Sequence, residues 1–447
     1  MKRFLLLLFF TLHSSLFTLR AQSSDDGVAT SLPSDSLQSS PVLPPSEKRW
    51  GATLLVHPSS IIAMDRRVKK WLKDKESFAI GLELNHVTLP SDNDAYAADF
   101  GYPILSAGLR YTFNERVRMH RSPDPEWGLA EEVDYDSPLG NTLSAYATFA
   151  RPFSRSRHWE TDYSLSIGLG YSKLKYNTRN DIDNELIGAH LLIYFGAGLH
   201  LTYHPVPEWG IKAGLEFVHH SNGALNRPNK GSNAVGPTLG IVYTPYYNAL
   251  STPRPTTTSL PSSDKDYEAG YFLNFSVGVG AKTLLEDWNL TQYKTPKGDP
   301  DYRTDDFKLY AAYSLQADVM RRYARRWASG CGIDLYYATY YKRSREIDRD
   351  PRKGNYGEKY SPVSVGFALK HNVYYHNWSA NMALGVYLFR RMGKDMESNE
   401  TPYYERIGVH YHFPSLGGLT LGANVHAHLG KANFTELAIS YPIPLAK

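Results

Sequence analysis

The chain has 447 residues, of which 42% are hydrophobic, and it carries 49 Lys and Arg against 45 Asp and Glu. A net charge of +4 is small for this length, so the sequence lacks the basic field that holds nucleic acid. After the N-terminal segment no apolar run reaches the roughly 18 residues of a membrane helix, and a single cysteine excludes an internal disulfide framework.

The N-terminus predicts an export signal. Lys2 and Arg3 form a basic start, residues 4–12 form an apolar core, and Ala21 offers a cleavage point. We therefore expect a signal peptide over residues 1–21 and an exported mature chain. A buried N-terminal helix is the alternative.

Two low-complexity stretches divide the rest of the chain. Residues 22–47 are rich in Ser, Pro and Asp without any periodicity, which predicts a disordered leader. Residues 250–266 have the same character and predict a linker. The expected folded units therefore span residues 48–249 and 267–447.

The strongest signal in both halves is strict alternation of apolar with polar or small side chains. The odd positions are apolar at residues 271–281 and 307–319, and three further segments alternate in the same way: 163–171, 191–203 and 419–429. A period of two gives a strand one apolar face and one polar face. Soluble sandwiches also alternate, but their strands run about five or six residues. Many of these segments run about 10 to 13, the length of a tilted membrane-crossing strand.

Connection lengths favour an outer-membrane barrel. The pattern contains about sixteen strands, and long charged connections, at 115–138, 284–305, 343–360 and 392–402, alternate with short ones. Long external loops and short periplasmic turns are typical of such barrels. We predict an all-β fold, an antiparallel transmembrane β-barrel, with a soluble β-sandwich as the alternative. One barrel of about sixteen strands and two barrels of eight both fit the pattern.

One predicted strand carries candidate chemistry on its apolar side. In the strand that begins near residue 208, the odd positions from Ile211 are apolar until His219 and Ser221, while His220 has the inward parity. Hydrocarbon cannot satisfy hydrogen bonds, so a His and a Ser facing lipid are costly unless they function. A His within reach of a Ser hydroxyl can activate a nucleophile. By spacing alone, a strand that simply ends at the headgroups explains both residues at least as well.

The same segment resembles a known family. The sequence contains the motif His219-His220-Ser221-Asn222-Gly223 and, shortly after it, Pro228-Asn229-Lys230-Gly231-Ser232-Asn233. These motifs resemble the signature of the PagL-type lipid A 3-O-deacylase and acyloxyacyl hydrolase family. The likeness covers roughly residues 50–247, and the C-terminal half resembles an extension found in longer relatives. The resemblance implies an outer-membrane β-barrel esterase whose catalytic Ser and His lie on the barrel exterior.

Carried over to this sequence, the resemblance assigns roles to the motif residues. Ser221 would be the nucleophile and His219 the general base. Asn222 would help to form the oxyanion hole through its side chain or backbone N–H, with Gly223 beside it. Lys230 would meet a lipid A phosphate, although an ordinary solvated loop explains this cation equally well.

The third catalytic position departs from the family pattern. It is a Glu in the best-known member and falls on Asn233 here. An Asn carbonyl can accept the Nδ1–H of His219 and fix its tautomer, but it offers no negative charge to the imidazolium. If Asn233 plays no part, Glu185 is the next residue to consider.

We therefore expect a serine esterase of the cell outer membrane that removes an ester-linked 3-O acyl chain from lipid A of lipopolysaccharide. No cofactor, metal or nucleic acid is implied, and a homodimer stays open. The pairs His410/His412 and His426/His428 have the inward parity, where hydrogen bonding in the lumen explains them better than a metal does. The alternatives are a non-catalytic outer-membrane pore or ligand-binding barrel, and an outer-membrane phospholipase.

Overall fold

The computed structural model describes four stretches of the chain: 48–124, 131–251, 269–351 and 359–445. The predicted signal peptide and leader, and almost all of the predicted linker, lie outside these residues. Within these stretches no helix is both long enough and apolar enough to cross a membrane.

The first half of the chain forms a closed antiparallel barrel of eight strands, and three short strands form a separate small sheet. The strands are, in chain order, β1 (Trp50–Ile61), β2 (Leu72–Asp74), β3 (Glu76–Val87), β4 (Ile104–Phe113), β5 (Arg118–Met119), β6 (Ser137–Pro138), β7 (Thr142–Arg155), β8 (Trp159–Ser172), β9 (Leu191–Val206), β10 (Trp209–Ser221) and β11 (Ser232–Tyr243). The barrel order is β1-β11-β10-β9-β8-β7-β4-β3, and the small sheet is β2-β5-β6.

The second half forms another closed barrel, in which each strand pairs with its neighbours in sequence. Its strands are β12 (Gly270–Lys282), β13 (Tyr310–Ala324), β14 (Trp327–Ala338), β15 (Val363–Tyr375), β16 (Trp378–Phe389), β17 (Tyr403–Phe413), β18 (Leu419–His428) and β19 (Lys431–Pro444). The predicted all-β fold of antiparallel barrel strands is confirmed. Of the two arrangements left open by the sequence, the structure has two barrels of eight strands.

Short helices occupy the connections, at Arg66–Trp71, Ala95–Asp99, Tyr247–Ser251, Leu285–Tyr293, Tyr341–Asp348 and Lys394–Asn399, with 3-10 turns at Pro90–Asp92 and Pro414–Leu416. Near the end of β10, Val68 and Leu72 pack with Met119 of the small sheet on Tyr194 and Val218 inside the first barrel. This apolar cluster caps the first barrel at the end we call the loop end; the opposite end is the turn end.

The alternation of side chains along the strands divides each barrel into an apolar exterior and a polar interior. In β13, Leu315 and Val319 are exposed, whereas Gln316 between them is buried. Ion pairs cross both interiors: Arg110 Nη2 lies 2.6 Å from Glu216 Oε2, and Lys370 Nζ lies 2.7 Å from Asp334 Oδ1. An eight-stranded barrel is just wide enough to be filled by its side chains, so both interiors are packed with polar residues.

Candidate active site

The hairpin of β10 and β11 brings His219 and Asn233 together. The two residues are directly opposite in the ladder, and His219 Nδ1 lies 2.8 Å from Asn233 Oδ1. The Asn233 Nδ2 group donates to the Gly231 carbonyl at 3.3 Å, which turns the amide oxygen toward the imidazole. Since that oxygen can only accept, Nδ1 carries the proton and Nε2 keeps a free lone pair. His219 is therefore held in the tautomer of a general base.

Gly231 makes room for this imidazole. Its φ of +76° lies in the left-handed region, which favours glycine. A Cβ atom at this position would lie 2.6 Å from His219 Cε1. The backbone at Gly231 therefore packs closely against the imidazole, and a side chain here would displace the ring.

Ser221 ends β10 and shares the parity of His219. It pairs with Ile193 of β9, and little of its surface is exposed. His220, between them in sequence, points inward, where its Nε2 lies 2.9 Å from Ser144 Oγ and its ring meets Tyr194 edge to face. The alternation thus separates the two adjacent histidines onto opposite faces of the barrel wall.

The segment after Ser221 is fixed by asparagine side chains. The Asn222 N–H donates to Asn229 Oδ1 at 2.9 Å, and Asn222 Nδ2 donates to the Asn226 carbonyl at 3.1 Å. The backbone donor expected from Asn222 for an oxyanion hole is therefore engaged within the loop. The next donor along the chain, the Gly223 N–H, has no protein acceptor in the described part of the chain.

Lys230 belongs to an ion-pair cluster. Its Nζ lies 2.6 Å from Glu185 Oε2 and 3.8 Å from Asp65 Oδ1. Glu185 is buried and also accepts from Arg121 Nη1 at 2.7 Å. Burial alone would raise the pKa of Glu185, but Lys230 and Arg121 outweigh it and hold that pKa below its usual value. The charge of Lys230 is thus balanced inside the protein, and its expected phosphate contact stays a prediction. Glu185 is engaged elsewhere than at His219.

The histidines of the second barrel make lumen hydrogen bonds. His410 Nε2 lies 2.7 Å from Asn424 Oδ1, and His412 Nδ1 lies 2.8 Å from Thr420 Oγ1. Among the residues that the structure describes, no cluster of three or more His, Cys, Asp or Glu side chains could hold a metal ion.

The fold and this site together define a class of protein. Closed barrels with apolar exteriors are the form of outer-membrane proteins, and a Ser two residues from an oriented His on one face of a strand is a candidate pair for ester hydrolysis. The sequence matches the family model "Lipid A 3-O-deacylase (PagL)" over residues 105–242 and the model "Acyloxyacyl hydrolase, C-terminal domain" over residues 271–444. The two models match separate halves of the chain and describe one family, the PagL-type lipid A 3-O-deacylases and acyloxyacyl hydrolases. The chain belongs to this family, and it is an ester-hydrolysing enzyme of the outer membrane.

Solved structures give weaker likenesses. The crystal structure of the outer membrane enzyme PagL is 15% identical, covers 43% of this chain and 99% of its own, and has a TM-score of 0.27. A mutant porin of Rhodopseudomonas blastica is 10% identical over 88% of this chain and 99% of its own, with a TM-score of 0.15. The Pseudomonas putida toluene transporter TodX is 10% identical over 90% of both chains, with a TM-score of 0.17. No curated protein is a significant match.

Proposed function

We propose that this protein removes the 3-O-linked acyl chain from lipid A, with Ser221 as nucleophile and His219 as general base. One observation carries the proposal: the 2.8 Å hydrogen bond from His219 Nδ1 to Asn233 Oδ1, on the outward face two residues from Ser221. An oriented imidazole close to a Ser can act as the general base that activates the hydroxyl. A His at a strand that merely ends at the headgroups would not need an Asn to orient its ring.

The reaction proceeds in two acyl transfers. As His219 Nε2 takes the Ser221 proton, Ser221 Oγ attacks the acyl carbonyl and forms a tetrahedral intermediate. The intermediate expels the sugar 3-oxygen, which receives that proton from His219, and the acyl group stays on Ser221. A water molecule then gives a proton to His219 and attacks the acyl-enzyme, and the fatty acid leaves as Ser221 regains its hydrogen.

Asn233 and Gly223 support these steps. The Asn233 amide keeps the proton on Nδ1, so that Nε2 is left as the proton acceptor, but it supplies no negative charge to the imidazolium. The Gly223 N–H is the backbone donor available to the oxyanion, since the Asn222 N–H is bound by Asn229.

The position of the pair on the barrel suits a membrane lipid. Leu215, on the same face of β10, is 64% exposed, so the site continues an apolar surface that faces hydrocarbon. An ester at the headgroup level of lipid A can reach this face without leaving the membrane. A pore function is disfavoured because buried ion pairs such as Arg110–Glu216 cross the lumen.

Mass spectrometry of lipid A tests the proposal. Cells that carry the wild-type protein should contain lipid A that lacks one hydroxyacyl chain, and cells with Ser221→Ala should not. A heat-dependent shift on SDS gels checks that the variant barrel is folded. Loss of acyl chains from glycerophospholipids alone would identify a phospholipase, and unchanged lipids with folded wild-type protein would contradict hydrolysis of either substrate.

A further inference from the structure

The second barrel makes hydrogen bonds to the segment that follows Ser221. Thr435 Oγ1 of β19 donates to the Gly223 carbonyl at 2.9 Å. Thr283, just after β12, donates to the Ala224 carbonyl from both its backbone N–H, at 2.9 Å, and its hydroxyl, at 3.1 Å. In return, Arg227 donates from Nε and Nη2 to the Thr283 carbonyl at 3.2 and 2.9 Å. Five hydrogen bonds thus join residues 223–227 to two threonines of the second barrel.

The fit at this junction is close. A Cβ atom at residue 223 would collide with Thr435 Oγ1 and lie 2.9 Å from Ile193 Cδ1, and the φ of Gly223 is +62°. Ile193 is also the ladder partner of Ser221. Ala224 has a φ of +71° and is completely buried. A non-glycine residue in this region is strained, so the surrounding contacts must hold it there.

The two barrels also contact each other at both of their ends. At the loop end, Arg303 Nη2 lies 2.8 Å from Asp183 Oδ1, and the rings of Trp288 and Tyr176 meet with centroids 4.9 Å apart. At the turn end, the His376 ring nitrogen Nε2 lies 2.9 Å from an Asp94 carboxylate oxygen. Contacts at both ends join the first barrel to the second, so the threonines are placed beside the Ser221 strand by more than their own hydrogen bonds.

We infer that the second barrel is a positioning element of the active site, acting through Thr435 and Thr283. Their hydrogen bonds fix the carbonyl groups of Gly223 and Ala224. They thereby hold the chain directly after the Gly223 N–H, which is the oxyanion donor of the proposed function on which this inference rests. Neither threonine touches the substrate carbonyl in this scheme; they set the place of the group that does. Catalysis responds to such placement, since a shift of about 1 Å can lower the rate by about 100-fold.

Removal of one hydroxyl tests the inference. Thr435→Val keeps the shape of the side chain and removes the donor to Gly223, whereas Thr435→Ser keeps the donor. The matched control is Thr339→Val, because Thr339 Oγ1 makes the same kind of bond, to the Ala311 carbonyl at 2.7 Å, within the second barrel. Full-length proteins in detergent micelles are compared for turnover of lipid A and for amide hydrogen exchange in residues 222–231.

The expected pattern is specific to positioning. Thr435→Val should lower kcat about 10-fold with KM within about twofold, and it should speed exchange in residues 222–231. Thr435→Ser should restore both, and Thr339→Val should change neither. An active wild type with kcat unchanged in Thr435→Val overturns the inference, whatever the exchange shows. If the wild type deacylates nothing but Thr435→Val still speeds exchange, the proposed function fails and the bracing by the second barrel stands.

Discussion

The two barrels carry a His and an Asn in corresponding hairpins but use them in opposite ways. In the first barrel, His219 donates from Nδ1 to Asn233 Oδ1 on the outward face. In the second barrel, His428 and Asn433 are buried in the lumen, where Asn433 Nδ2 lies 3.3 Å from His428 Nε2. The Asn433 amide nitrogen donates to His428 Nε2, whose lone pair a general base would need. The Asn433 amide oxygen accepts from Lys282. The same pair of residues is thus a candidate base outside one barrel and a satisfied hydrogen bond inside the other.

The connections of the two hairpins differ as well. β10 and β11 are joined by residues 222–231, which fold into a hydrogen-bonded loop beside Ser221. β18 and β19 are joined by Leu429 and Gly430 alone, both with positive φ, the conformation of a tight hairpin turn. The backbone N–H groups of these two residues bind the Glu405 carboxylate, so this turn offers no free oxyanion donor. The comparison teaches that a residue pair becomes an active site through its face on the sheet and the loop beside it.

The largest difference in turnover should be between substitutions of His219 and of His428. We expect His219→Ala to lower turnover by at least about 100-fold, since base catalysis typically supplies 100- to 10,000-fold. His428→Ala should keep turnover within about threefold, because the lumen only loses a hydrogen bond. Fatty-acid release from lipid A by the purified proteins measures both. Equal damage from the two substitutions in folded barrels would contradict the assignment.

The two asparagines offer a second contrast. Asn233→Ala should reduce turnover roughly 10-fold or more, because the imidazole loses the acceptor that fixes its tautomer. Asn433→Ala should leave kcat near the wild-type value. Asn233→Glu should retain or raise activity, since a carboxylate also stabilises the imidazolium. If turnover in Asn233→Ala equals that of the wild type, Asn233 does not belong to the site.

Gly231 and Gly430 both have a left-handed backbone, but their substitution should affect different properties, turnover in one case and stability in the other. Gly231→Ala should lower turnover several-fold, because the new Cβ would lie 2.6 Å from His219 Cε1. Gly430→Ala meets a φ of +73° and should cost about 1 kcal/mol of stability without a change in turnover. Steady-state kinetics and thermal unfolding in micelles separate the two effects. A stable Gly231→Ala with full activity would show that the ring tolerates displacement.

The smallest effect is expected at His220. Its side chain faces the lumen and contacts Ser144, so His220→Ala should change turnover by less than about threefold. The same lipid A assay measures it. If His220→Ala were inactive while His219→Ala stayed active, the register of β10 would be wrong by one residue, which exchanges the two faces of a strand.

Much of the fold could be predicted from the sequence, because the period of two is a direct consequence of strand geometry. Long alternating runs such as 307–319 predicted the barrel strands. The choice between one barrel and two depends on which strands close on each other, β1 with β11 and β12 with β19. Such closure is a long-range pairing that alternation does not encode.

The candidate site was predictable only in part. The parity of His219 and Ser221, and the position of Asn233 opposite His219, follow from strand periodicity and a hairpin register. The ion pair of Lys230 with Glu185 was not predictable, since the two residues are distant in sequence. The threonines 283 and 435 were missed for the same reason: they lie in the other barrel and belong to no motif. Only the packing of the two barrels brings Thr435 to Gly223 and Thr283 to Ala224.

The most direct test of the account is the site of covalent labelling by a lipophilic fluorophosphonate, a reagent that attaches to activated serine hydroxyls. The wild-type protein is labelled in micelles, digested and mapped by mass spectrometry. We predict one modified residue, Ser221, with the label absent in Ser221→Ala and strongly reduced in His219→Ala. Deacylation of lipid A with the label on another serine, or with Ser221 unmodified by the reagent, would contradict the account.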